Sequence, residues 1–85
     1  MKKRNRIKIF GEWVTLDHVD LTSEGIYGDC TVSSRTIRLH VGLEGAEYKR
    51  VLAHESEHMR LGISGLSEMM SAELEEALAV LAETR

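Results

Sequence analysis

The spacing of apolar residues changes partway along this chain. In the first half Ile7-Lys8-Ile9-Phe10 and Trp13-Val14-Thr15-Leu16 are β-rich runs on either side of Gly11-Glu12, a pattern that predicts a hairpin. Residues 20–34 hold Gly25, Gly28, Asp20, Asp29 and several Ser and Thr, which is loop chemistry with a short extended piece around Tyr27. Thr36 to Val41 then alternates with a period of two, which places Ile37, Leu39 and Val41 on a buried face and Arg38 and His40 outside.

After Gly42 and Gly45 the period becomes helical. A helix is expected from about Glu47 to Leu61, with Gly62 as the left-handed residue that ends it. Ser64, Gly65 and Ser67 make a reversal, and a second helix runs from about Ala72 to Glu83 with Ser71 as its N-cap. No proline, repeat or linker interrupts the 85 residues. The expected fold is α+β, one domain over residues 1–85, with a small N-terminal sheet of about three strands followed by a two-helix hairpin.

Composition adds a constraint. A chain this short buries only about 60–65 % of the surface it exposes when unfolded, so its core is thin and a staple should be sought. Cys30 is the only cysteine, which excludes a disulfide within one chain, fits a reducing cytoplasmic setting, and leaves a metal or a partner as the staple. The net charge of −3 is unevenly spread: Lys2, Lys3, Arg4 and Arg6 stand at one end, and Glu68, Glu73, Glu75, Glu76 and Glu83 at the other. The basic start reads as a solvated terminus in preference to a nucleic-acid contact. No apolar run follows it, and nothing approaches the about 20 residues that a membrane span needs, so no membrane partner is expected.

The chemistry is concentrated in His54-Glu55-Ser56-Glu57-His58, an HExxH segment. Zinc takes imidazole nitrogens and carboxylate oxygens from fixed directions, and residues four apart share one helix face. His54 and His58 can therefore grip one ion, while Glu55 points beside it and can deprotonate a water whose pKa the ion has lowered. Chance would supply the motif in roughly a few per thousand chains of this length, so the burial pattern must decide. At about 100° per residue, Tyr48, Val51, Leu52 and Met59 cluster around Glu55, which places an acid in the middle of the apolar stripe. An unpaired carboxylate there costs several kcal/mol, roughly, and a plain surface helix has no reason to carry it. Lys49, Arg50, Ala53, Glu57 and Arg60 take the outward side.

Two histidines leave catalytic zinc one protein ligand short. Among the acids of the second helix, Glu75 falls inside an apolar arc of Met70, Leu74, Ala77, Leu78, Leu81 and Ala82 and is the expected third ligand. Glu73 and then Glu76 follow it, since the pattern can slip by a residue.

The stretch Leu52 to Leu66 resembles the active-site helix and following turn of zincin metallopeptidases, in particular short phage and prophage metallopeptidases related to the ImmA/IrrE type. Tyr27-Gly28-Asp29-Cys30, the strand at Ile37-Arg38-Leu39, the Gly65-Leu66 turn and the Glu-rich second helix stand in the same order around the motif. The resemblance implies a minimal zincin-like fold, His54 and His58 as zinc ligands, Glu55 as the catalytic acid/base and a downstream Glu as the last ligand. Glu75, followed by Leu78, Ala79 and Ala82, meets that last pattern. Glu57 and Arg60 depart from the zincin preference for an uncharged and an apolar residue at these two places.

The remaining polar residues have ordinary readings. His18 and His40 are expected as surface or partner-bonded strand residues and as reserve ligands, Tyr27 and Trp13 as packing residues, and Cys30 as a small half-buried side chain. The Thr36–Val41 strand offers an edge for an extended peptide. The expected function is zinc-dependent hydrolysis of a peptide bond in a peptide or protein substrate. The alternatives are a zinc-stabilised binding or regulatory module, and a nucleic-acid accessory role for the basic start.

Overall fold

The computed structural model describes residues 5–84, so Lys2, Lys3 and Arg4 of the basic start lie outside the described residues. Its strands are β1 (Asn5–Ile9), β2 (Glu12–Val19), β3 (Gly28–Thr31) and β4 (Thr36–His40), and its helices are α1 (Gly45–Ser64) and α2 (Ala72–Ala82). Short 3₁₀ turns at Thr22–Glu24 and Leu66–Met69 complete the path. The protein is α+β, with a sheet of four strands in place of about three, because the extended piece near Tyr27 becomes a paired strand.

The sheet order is β1-β2-β4-β3, with β1–β2 and β3–β4 antiparallel and β2–β4 parallel. Placing β4 between β2 and β3 removes the edge expected at Thr36–Val41; the free edges belong to β1 and β3. Alternation puts Ile9, Val14, Leu16, Ile37 and Leu39 on one face, where they form the core with Met59 of α1. Val41 lies beyond the end of β4, outside the pleat, and is exposed. On the opposite face Arg38 bridges Asp29 of β3 and Glu24, while Arg6 and Lys8 lie over the exposed Trp13 ring. Trp13 is thus a surface platform for cations and no part of the core.

Helix α1 continues past Gly62 and ends at Gly65, whose φ of 82° supplies the left-handed cap. Gly62 serves a different purpose, since a Cβ there would collide with Val32 in the β3–β4 turn. Helix α1 packs against the sheet on one side and α2 on another. That double packing explains Glu57, expected outward but only 4 % exposed: it lies in the angle between the hairpin turn and α2, where both carboxylate oxygens accept bonds from Arg60.

Helix α2 starts as expected, with Ser71 Oγ accepting from the Leu74 amide at 3.1 Å. Its orientation differs from the apolar arc read in the sequence. Leu74 and Leu81 are 51 % and 59 % exposed, and Ala77 is exposed too, whereas Ala79 and Ala82 are buried. The inward face carries Ala79, Ala82 and the half-buried Leu78 together with acids that meet histidines of α1. No helix among the described residues is long and apolar enough to cross a membrane.

Candidate metal centre

Positions 54 and 58 are one helical turn apart, so α1 holds the two imidazoles side by side with ring centroids 5.0 Å apart. Opposite them α2 presents three carboxylates. Glu76 and Glu83 are seven residues apart and thus share a helix face, and Glu75 lies one position round from Glu76. Glu76 faces both Nε2 atoms, at 2.9 Å from His54 and 3.4 Å from His58. Glu83 meets His54 Nδ1 at 2.6 Å, and Glu75 meets His58 Nδ1 at 2.5 Å.

His54, His58 and Glu76 can bring one ligand atom each within 4.8 Å of one another, and they are the only such group of three among the described residues. Two imidazoles and a carboxylate suit zinc. The Glu76 side chain is 56 % exposed, so the group opens to solvent and leaves room for a further ligand. Glu75, expected as the third ligand, instead sits on the far nitrogen of His58, and Glu73 is exposed on α2. The sequence signal for Glu76 and Glu83 was their seven-residue spacing, which the leucine pattern concealed.

The electrostatics suit a cation. Burial disfavours a charged His54 ring, but the carboxylates of Glu83, Glu55 and Glu76 outweigh it and hold its pKa above the ordinary value. Glu55 is raised above the usual carboxylate range by burial, with His54 and His58 opposing. Glu75 is held below that range by the Ser67 hydroxyl and by His58. Cys30 is pushed up to about 12 by burial and by the charges of Glu55, Asp29 and Glu75, so its thiol stays protonated and inert.

Glu55 stands where the cleft meets β3. An open cleft of about 650 Å³ runs between Gly28, Asp29 and Cys30 on one wall and His54, His58, Glu75 and Glu76 on the other. A neighbouring hollow of about 350 Å³ is lined by Tyr27, Arg50, His54 and Glu55. Tyr27 is exposed, its ring edge-on to His40 at 6.4 Å. His18 and His40 are engaged elsewhere: His18 Nε2 is 2.8 Å from Tyr48 Oη, and His40 Nδ1 accepts from the Leu21 amide at 3.1 Å.

Gly28 sets the width of this cleft. A Cβ there would stand 2.9 Å from Val51 Cγ1, 3.0 Å from the Arg38 carbonyl oxygen and 3.4 Å from Glu55 Cγ. The carbonyl belongs to a paired strand and cannot retreat alone. Gly28→Ala is therefore expected to destabilise the fold by roughly 1–3 kcal/mol, the usual cost of overpacking. Urea denaturation measures it; an unchanged midpoint would mean that β3 shifts freely against α1.

No family model, no curated protein and no solved structure matches the chain.

Proposed function

We propose that the protein is a minimal zinc metallopeptidase, with His54, His58 and Glu76 as the metal ligands and Glu55 as the general base. The observation that carries this reading is the convergence of both Nε2 atoms on one Glu76 carboxylate beside a Glu55 whose pKa burial has raised. The HExxH order and its resemblance to zincins support it. A zinc ion held by this group would supply Lewis acidity, lowering the pKa of water toward neutrality and polarising a carbonyl. Glu55 takes the proton from the attacking water on its carboxylate and returns it to the nitrogen that leaves when the C–N bond breaks. Its raised pKa suits both transfers. The free edge of β3 lies on a strand that walls the cleft, so an extended substrate backbone has a strand to pair with.

One observation favours the alternative, a non-catalytic module in which zinc clamps two helices: α2 buries only Ala79 and Ala82 of its apolar residues. The test separates the two. The purified protein is expected to carry about one zinc per chain by elemental analysis. Glu55→Gln is expected to keep that zinc and to lose hydrolysis of a peptide library, by about 10²–10⁴-fold, the range for a lost acid/base group. Wild-type protein without zinc refutes the metal centre. Zinc without hydrolysis in the wild type, or equal hydrolysis in Glu55→Gln, refutes the catalytic reading.

A further inference from the structure

Glu75 of α2 and Glu83 at its C-cap do not face the Nε2 atoms but each end on a histidine, and this pairing has a chemical meaning. A carboxylate can only accept, so the contacts of Glu83 with His54 Nδ1 at 2.6 Å and of Glu75 with His58 Nδ1 at 2.5 Å each require a proton on Nδ1. The Nε2 atoms, which face Glu76, are then the ones left for an ion, which would take the place of the proton that each shares with that carboxylate. We propose that Glu83 and Glu75 are positioning residues which hold a proton on each Nδ1 and fix the rotation of the two imidazoles, so that both Nε2 atoms converge beside Glu76. The proposal rests on the metal-centre reading above and assigns roles to two residues outside the ligand set.

Burial separates the roles of the three acids. The side chains of Glu75 and Glu83 are 22 % and 27 % exposed, whereas that of Glu76 is 56 % exposed, as suits a ligand on the open side. The two shielded acids are themselves held in place. The Glu75 carboxylate accepts a second bond from Ser67, just before α2, whereas Glu83 is fixed through its backbone, whose amide closes the last turn of α2 on the carbonyls of Val80 and Leu81. One helix and its C-cap thus reach both rings. Carboxylates placed on the far nitrogen of metal-bound histidines orient the ring and raise its basicity, and their loss typically costs 10–100-fold in metal affinity.

The test sets reach against charge, with zinc affinity read by chelator competition and cobalt(II) absorption as a spectroscopic check on the ligand set. Glu83→Gln and Glu75→Gln keep an oxygen at Nδ1 but lose the charge, and are expected to stay within about tenfold of wild-type affinity, the low end of the outer-shell range. Glu83→Asp and Glu75→Asp keep the charge but draw the carboxylate back, and are expected to bind about 10–100-fold more weakly. All four should retain the wild-type cobalt spectrum, because the ligands are unchanged. These conservative changes are read alongside circular dichroism of each metal-free variant, and one that fails to fold leaves the other acid to decide. Three results overturn the proposal: Asp variants that bind as tightly as wild type, Gln variants weaker than their Asp counterparts, or a cobalt spectrum altered by Glu83→Gln or Glu75→Gln. Wild-type protein that takes up neither ion overturns the metal centre itself, a result distinguishable from any of these.

Discussion

Glu76→Ala is expected to weaken zinc binding by more than the about 10–100-fold that follows the loss of an orienting carboxylate, because it removes a ligand outright. The change should be clean. Glu76 is exposed, so its truncation leaves no cavity, and metal-free Glu76→Ala should stay folded, since only its contacts with the two histidines and its repulsion by neighbouring carboxylates are lost. Glu73→Ala, on an exposed part of α2, should bind zinc as the wild type does. Competition with a chromophoric chelator ranks the three acids directly. Tight binding kept in Glu76→Ala and abolished in Glu75→Ala would mean that the ion sits on the acid singled out by the leucine pattern, with α2 turned accordingly.

If zinc occupies the site as proposed, its removal should have a comparably large effect on stability. Among the apolar residues of α2 only Ala79 and Ala82 are fully buried and Leu78 is half-buried, so the helix brings a modest hydrophobic energy to the fold. It also carries Glu75, Glu76 and Glu83 toward Glu55, and without a cation these carboxylates repel one another. Zinc at 1,000 times its dissociation constant stabilises the folded state by about 4 kcal/mol. For a domain of this size each kcal/mol moves the melting temperature by about 4–8 °C, so stripping the ion should lower it by roughly 15–30 °C. The loss should be local at first: amides of residues 72–82 should exchange quickly in the metal-free protein while those of β2 and β4 stay protected. A melting curve indifferent to chelator, or uniform protection across both forms, would show that α2 is held by packing alone.

How far the sequence could be read depended on the range of each interaction. The HExxH segment was legible because its geometry is local, one turn of helix bringing His54 beside His58. The strands at Ile7–Phe10, Trp13–Leu16 and Thr36–Val41 were legible by alternation, but their partners were not. Parallel pairing of β2 with β4 and the edge position of β3 depend on residues far apart in the chain. Glu57 was misplaced because a helical wheel assumes a single packing side and α1 has two. The rotation of α2 was misread for an energetic reason: leucines are the default guide to a buried face, yet here hydrogen bonds to His54 and His58 turn Leu74 and Leu81 outward. Val41 and Gly62 were boundary errors of one or a few residues, with Gly65 taking the capping role.

All the groups that would hold the ion belong to a single helix–turn–helix segment at the end of the described chain, with no contribution from the sheet. Contacts within such a segment are close in sequence, and the entropy of closing the short connection from His58 to Glu76 is small. Assembly of the sheet is slower by nature, since β4 must find β2 across the intervening 3₁₀ turn and β3. The order of events during folding follows from this difference in contact order. The helical segment can close on an ion while the strands are still unpaired, and the cleft beside Glu55 forms only when β3 arrives to wall it.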